Sequence, residues 1–216
     1  MRSTARRGII VLIALVVWGG AVPAEATDNL CWPTANQIYC NVRWPLPTSS
    51  FLVNSTTLTS AQRTAIRSGA SDWNAYTSFH PSYGGTTTNS LPSTGDHIVW
   101  KGGIPVAWQQ VCTPALSLAC TRITFNGDPP PYFILDADMV FNGPNYGVNF
   151  STDDLNCQTN PPGYFDVWSV AEHEFGHFGG LNHVAFDVLA VMWGSYTICK
   201  RHVAPHDIQS MIALYF

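Results

Sequence analysis

One short segment of the chain combines residue types and spacings that could bind a metal ion and activate water. Residues 173–183 read HEFGHFGGLNH, which places His173 and His177 four positions apart. Four residues turn a helix by roughly 400°, so both imidazoles project from one face and can bind one Zn²⁺ at about 2.0–2.1 Å. Glu174 follows the first histidine directly, beside the metal axis, where the general base for an attacking water is expected.

A third ligand is predicted from the two glycines that follow the second histidine. Gly179 and Gly180 can adopt positive φ, end the helix and turn the chain back beneath the metal. This turn brings His183 towards the two helical histidines. Three neutral imidazoles leave one coordination position open, which is typical of catalytic rather than structural zinc sites. The sequence therefore predicts one catalytic Zn²⁺.

The elements that must position this segment follow from periodicity and capping signals. Asp166 fits the N-cap of a helix that runs to about residue 179. Thr59 and Gln62 fit a capping box at the start of a helix over 59–79. A last helix is predicted to begin near Asp207. The strand-like segments are 96–100, 120–126 and 132–142, and the predicted loops are 80–96 and 142–165. Strands and helices in one compact chain predict an α+β fold, an α/β-type sandwich.

The N-terminus has the pattern of a secretory signal peptide. Three arginines precede an uninterrupted apolar run over residues 8–18, and small residues in an A-x-A arrangement occupy 24–26. We expect residues 1–26 to be cleaved and the protein to be secreted. The alternative is an uncleaved anchor, but the run is shorter than the ~20 residues that span a bilayer. Residues 27–216 then form one domain, in which 27–42 are an N-terminal extension.

Charge and cysteine content narrow the class of protein further. The formal net charge is −4, and there is no basic stripe of the kind that nucleic-acid binding requires. The six cysteines, an even number behind a signal peptide, predict disulfides in an oxidising compartment, although six cysteines permit 15 pairings. Short loops favour the pairs Cys31–Cys40 and Cys112–Cys120, which leaves Cys157–Cys199 as the third pair.

The zinc segment resembles the extended HExxHxxGxxH signature of the metzincin metallopeptidases. Residues 190–196, which read AVMWGSY, are similar to the methionine turn of that group, with Met192 as the methionine. Within the group the chain resembles the matrixins, the matrix-metalloproteinase-like family. The further segments that carry this likeness are Arg43 with Trp44, the helix with Ala70 and Trp73, and residues 136–141 and 207–215.

The resemblance implies a metzincin catalytic domain with a twisted mixed sheet, an active-site helix and a C-terminal helix. It implies a zinc endopeptidase that acts on protein or peptide substrates as a monomer, with no stable membrane association after signal cleavage. It also assigns Tyr196 to the primary specificity pocket and suggests residues 138–149 as the edge that binds an extended substrate.

Calcium often accompanies the family, and carboxylates suit it. The acids that could bind calcium, with solvated surface acids as the alternative, are Asp136, Asp138, Asp153 and Asp154.

The chain departs from the matrixin pattern in several places. Val184 stands where the family usually has serine, and Gly194 where its turn usually has proline. No histidine and aspartate cluster for a second zinc and no cysteine-switch propeptide are evident. Two other functions stay open: a secreted binding module on a peptidase scaffold, and a zinc hydrolase of a non-peptide substrate.

Overall fold

The computed structural model describes residues 8–16, 31–33, 38–89, 95–110, 112–127, 130–147, 149–185 and 187–215. Its architecture is mixed α/β. The strands are β1 (Gly8–Val16), β2 (Cys31–Pro33), β3 (Ile38–Cys40), β4 (Thr48–Asn54), β5 (His80–Thr87), β6 (Ile98–Gly102), β7 (Ser117–Asn126), β8 (Ile134–Asn142), β9 (Phe150–Ser151) and β10 (Phe165–Asp166). The helices are α1 (Ser60–Tyr76), α2 (Gly143–Tyr146), α3 (Asp154–Thr159), α4 (Val167–Phe178) and α5 (Pro205–Tyr215), with a 3₁₀ turn at Val106–Trp108.

A mixed sheet forms the framework of the fold. Five of its strands come from residues 48–142, and β1 adds a sixth at one edge, in the order β1-β7-β8-β6-β4-β5. The strands β4, β5, β6 and β8 run parallel, whereas β7 runs antiparallel to β8. This architecture agrees with the α+β class expected from the sequence.

The sixth strand is part of the apolar run that the sequence assigns to a signal peptide. β1 pairs antiparallel with β7, from Gly8 opposite Asn126 to Val16 opposite Ser117. In a chain cleaved after Ala26, β7 would become the edge strand of the sheet. The other residues of the predicted signal peptide, 1–7 and 17–26, lie outside the described residues.

Three local expectations from the sequence differ from the structure. Residues 142–165, predicted as a loop, contain the short helices α2 and α3 and the strand β9. Residues 80–87 are not a loop but the strand β5, which pairs in parallel with β4. Most side chains of β5 are at least partly exposed at the sheet edge. The segment is therefore polar and lacks the apolar alternation by which a strand is predicted from sequence. The suggested substrate edge at 138–149 is wrong for residues 138–142, because β8 is hydrogen-bonded to β6 on one side and to β7 on the other.

The two long helices pack tightly on each other. The capping box at the start of α1 is present as predicted, with Thr59 and Gln62 bonded reciprocally. A Cβ at Gly69 of α1 would lie 2.8 Å from the backbone nitrogen of Glu172 in α4, so glycine allows this close approach. The indole nitrogen of Trp73 donates to the Glu172 carbonyl at 2.8 Å. These contacts fix the position of α4 relative to α1, and α4 carries two of the three predicted metal ligands.

Disulfide bonds tie down the connecting segments. Cys112–Cys120 and Cys157–Cys199 are bonded as predicted. Cys31 lies opposite Cys40 in the β2–β3 register, and Cys40 is disulfide-bonded. These bonds suggest an extracellular or other oxidising environment. In the described ranges, every helix is too short or too polar to cross a membrane.

Candidate metal centre

The three histidines predicted as ligands converge on one point. His173 and His177 lie on α4, and His183 follows the turn that ends it. The Nε2 atom of His183 lies 3.2 Å from the Nε2 atom of each helical histidine. Tetrahedral coordination at 2.0–2.1 Å separates neighbouring donor nitrogens by about 3.3–3.4 Å. The donor set therefore fits a tetrahedral ion such as Zn²⁺, and the three residues form a group that could hold a metal.

The protonation state of these imidazoles suits a metal. Burial lowers the pKa of His173 and of His177 well below 6.5. Burial also lowers the pKa of His183 to about 4. All three rings are therefore neutral at pH 7, which is the form that binds a metal ion.

Main-chain carbonyls orient the two helical rings. The Nδ1 atom of His173 bonds the Val191 carbonyl at 2.6 Å, and that of His177 bonds the Leu181 carbonyl at 2.7 Å. A carbonyl oxygen only accepts, so each Nδ1 must carry the proton. The lone pair of each Nε2 is thereby directed to the convergence point.

One glycine makes the turn that delivers the third histidine. Gly180 has φ +104°, and a Cβ there would lie 2.1 Å from the Val42 carbonyl oxygen. Its neighbour Gly179 keeps helical geometry, with φ −76°, and serves packing instead. A Cβ at Gly179 would lie 2.6 Å from the Met211 side chain of α5. Of the two glycines expected to turn the chain, Gly180 therefore does so.

The predicted methionine turn lies directly against α4. Met192 is fully buried, and a Cβ at Gly176 would lie 2.1 Å from its sulfur. Glycine between the two helical histidines therefore lets the methionine pack beneath them. The turn is anchored from α5, because the Asp207 carboxylate accepts hydrogen bonds from the backbone nitrogens of Val191 and Met192 at 2.7 and 3.2 Å.

The predicted general base has a partner that the sequence did not reveal. Glu174 is completely buried, and its Oε2 accepts a hydrogen bond from the Thr121 hydroxyl at 2.5 Å. Thr121 belongs to β7 and is itself fully buried. The strand beside the helix therefore fixes the carboxylate that neighbours the metal ligands.

The second glutamate of α4, Glu172, directly precedes His173. It is fully buried and interacts electrostatically with Asp72 of α1 and Asp207 of α5. Burial, followed by hydrogen bonding and charge repulsion from Asp72, raises its pKa well above 4.5. Both effects favour the protonated form of the Glu172 carboxyl.

A narrow cavity opens beside the metal centre. Its lining includes His173, Trp193, Tyr196 and Lys200. The Tyr196 hydroxyl accepts a hydrogen bond from the Asp166 backbone nitrogen at 3.0 Å, which holds the ring against the start of α4. The structure thus brings Tyr196 to the metal centre, and its role in substrate selection stays a prediction.

The acids considered for calcium are engaged by the protein itself. Asp136 accepts from the Gly95 nitrogen and contacts His97, and Asp138 accepts from the Ile98 nitrogen at 3.0 Å. Asp153 caps α3 and Asp154 pairs with Arg201. A calcium ion therefore stays a prediction.

Cys157, Cys199 and Asp166 form a second group with metal-binding atoms close together. Its two cysteines are bonded to each other, so they supply no thiolate to a metal.

Sequence reasoning missed the contacts made by Thr121, Gly176, Lys200 and Asp207. Their partners lie in other segments of the chain, so the motif spacing carried no signal for these contacts. This holds even for Gly176, which lies inside the motif but packs against Met192. No model of a protein family matches the chain.

Proposed function

We propose that the chain is a secreted zinc-dependent endopeptidase with a matrixin-like metzincin catalytic domain. The convergence of three neutral imidazole nitrogens beside one buried glutamate carries the proposal. His173, His177 and His183 would hold one Zn²⁺. Neutral ligands leave the full charge of the ion available to polarise a bound water and a carbonyl oxygen.

The chemistry divides between the metal and the chain. Bound Zn²⁺ would act as a Lewis acid on a carbonyl oxygen and lower the pKa of a coordinated water from about 15.7 towards 7. The Glu174 carboxylate takes the proton of the attacking water and later delivers it to the leaving amine. The Thr121 hydroxyl holds that carboxylate in place by donating to Oε2.

An extended peptide has a natural binding edge beside this site. Strand β7 lies over α4 and carries Thr121, so a peptide paired with β7 would pass the metal centre. In the described chain β1 occupies this edge with antiparallel pairing, and a cleaved chain would offer the same hydrogen-bonding groups to a substrate. The expectation that residues 138–149 form this edge is replaced by β7.

The location of the protein forms part of the proposal. The disulfides and the N-terminal pattern support export. The mature chain would act on proteins or peptides as a monomer, without stable membrane association.

Substitution of the base tests the proposal. Glu174→Ala and the isosteric Glu174→Gln should retain one zinc per chain but lose about 10²- to 10⁴-fold in kcat/KM on a peptide substrate. Chelation should abolish the activity of the unsubstituted chain, and added Zn²⁺ should restore it. Substantial activity in the zinc-loaded Glu174→Gln variant would overturn the assignment.

A digest of a peptide library separates this proposal from the two alternatives. An endopeptidase cleaves internal bonds in a metal-dependent manner. A binding module retains peptides without cleaving them. A zinc hydrolase of non-peptide substrates leaves the library intact and neither binds nor cleaves it.

A further inference from the structure

The cavity beside the candidate metal centre is lined by a lysine that the proposed reaction does not use. Lys200 lines this cavity together with His173, Tyr196 and Ser195. The chain has only one other lysine, Lys101 on β6. Burial lowers the pKa of Lys200 to about 8, so most of the ammonium stays charged at pH 7.

The Lys200 ammonium is only partly satisfied by the protein. It donates one hydrogen bond, to the Ala190 carbonyl at 2.7 Å. Asp207 and Asp187 interact with it electrostatically, but it forms no ion pair with any residue that the structure describes. An ammonium has three donors, so two remain for water or for a ligand in the cavity.

The backbone of Lys200 is held firmly in position. Cys199 before it is bonded to Cys157, and Arg201 after it binds the Asp166 carboxylate through Nη2 and Nε at 2.6 and 3.1 Å. The Lys200 backbone nitrogen donates to the Ser169 hydroxyl at 2.8 Å. Asp166 and Ser169 belong to the start of α4, so the same helix positions both the metal ligands and Lys200.

The size of the cavity limits what can enter it. Its volume is about 10 Å³, which is the room of about one water molecule. A bulky apolar side chain would enter only if the lining side chains moved. A short side chain that ends in a carboxylate needs less displacement and gains charge-assisted hydrogen bonds from the ammonium.

We propose that Lys200 is a specificity-determining residue, which makes this cavity select an acidic side chain, aspartate or glutamate, next to the cleaved bond. The inference rests on the proposed peptidase function, because it takes the cavity beside His173 as a substrate subsite. Its recognition chemistry is a carboxylate bound by the two remaining ammonium donors. The alternative is that Lys200 only holds the methionine turn in place, through its hydrogen bond to the Ala190 carbonyl.

Matched peptides test this proposal. Peptides that differ only in Asp, Asn, Leu or Lys after the cleaved bond separate charge from size, since Asp and Asn are nearly isosteric. We expect about 10- to 100-fold higher kcat/KM for the Asp peptide than for the Asn peptide, the usual range for a hydrogen bond to a charged group. Lys200→Met should reduce this ratio to about one, Lys200→Arg should preserve it, and the control Lys101→Met should leave it unchanged.

A binding readout makes failure of this inference distinguishable from failure of the peptidase proposal. Calorimetry on the zinc-loaded Glu174→Gln protein measures the Asp-to-Asn ratio of Kd without cleavage. The same preference there, lost in a Glu174→Gln and Lys200→Met double variant, supports the inference even if no peptide is ever cleaved. Cleavage or binding with equal preference for Asp and Asn overturns it. If Lys200→Met lowers kcat/KM equally for all four peptides and leaves the Asp-to-Asn ratio unchanged, Lys200 only holds the Ala190 carbonyl. That result would also overturn the inference.

Discussion

The contact between Thr121 and Glu174 gives the sharpest prediction about catalysis. Thr121→Val removes the hydroxyl that donates to Glu174 Oε2 at 2.5 Å and replaces it with a methyl group of similar size. The carboxylate is completely buried, so water does not replace the lost donor readily. A hydrogen bond to a charged group contributes about 1.5–3 kcal/mol. We therefore expect kcat to fall by about 10- to 100-fold.

The effect should appear in kcat rather than in KM. Thr121 donates to the proposed base Glu174, so zinc content should stay at one per chain and peptide binding should change little. Steady-state kinetics on one peptide, with metal content and melting temperature measured in parallel, would check this. Thr121→Ser keeps the hydroxyl and should restore most of the activity.

Thr124→Val provides a control on the same strand, because Thr124 lies three residues further along β7, opposite Asp136. It should leave kcat unchanged. A Thr121→Val protein with full zinc content and kcat within about twofold of the unsubstituted chain would refute the positioning role. Equal losses of kcat in Thr121→Val and Thr124→Val would point to general disruption of β7 instead.

Two further predictions concern stability. Gly180→Ala should lower zinc occupancy and destabilise the chain, because φ +104° strains an L-residue by about 1–3 kcal/mol and the added Cβ meets the Val42 carbonyl at 2.1 Å. Gly85→Ala is the control, since Gly85 has φ +126° but nothing within 4 Å of an added Cβ; equal melting temperatures of the two variants would contradict the role of the Val42 contact. Asp138→Asn should stabilise the chain above pH 7, because burial, then repulsion from Asp136, raises the pKa of Asp138 from 3.8 to about 7. The folded state holds that proton more tightly than the unfolded state. The protonated carboxyl therefore contributes to the free energy of unfolding, on the order of 4 kcal/mol, fully below pH 3.8 and no longer once the pH has risen through 7. Urea denaturation at pH 4, 6 and 8 should show a gap between variant and parent that grows with pH, and a constant gap would refute the assignment.

The candidate metal ligands could be predicted because their geometry is local. Helical spacing places His173 and His177 on one face whatever surrounds them, and Gly180 signals the turn that returns His183. The placement of the three histidines relative to one another therefore follows from the local sequence of residues 173–183. The helix starts at Thr59 and Asp166 were predictable for the same reason, since a capping side chain bonds nitrogens only two or three residues away.

The partners of these residues were not predictable, because they depend on strand register and loop packing. Thr121 is 53 residues from Glu174 in the chain, and a shift of one residue in β7 would turn its hydroxyl to the other face. β5 was missed because it pairs at an exposed edge with polar side chains. Asp207 was identified only as a helix start, although its carboxylate also holds the methionine turn.

The structure also suggests why one glutamate of the pair beside His173 is suited to act as the base. Glu172 and Glu174 are two residues apart, so a helix separates them by about 200° and directs them to opposite sides. The first interacts with Asp72 of α1, and burial together with that second carboxyl raises its pKa well above 4.5. The second faces β7, where Thr121 donates a hydrogen bond to it. A donor favours the ionised form of a carboxylate, whereas a neighbouring acid opposes it. The packing of α4 between α1 and β7 therefore places two chemically identical side chains in different electrostatic environments.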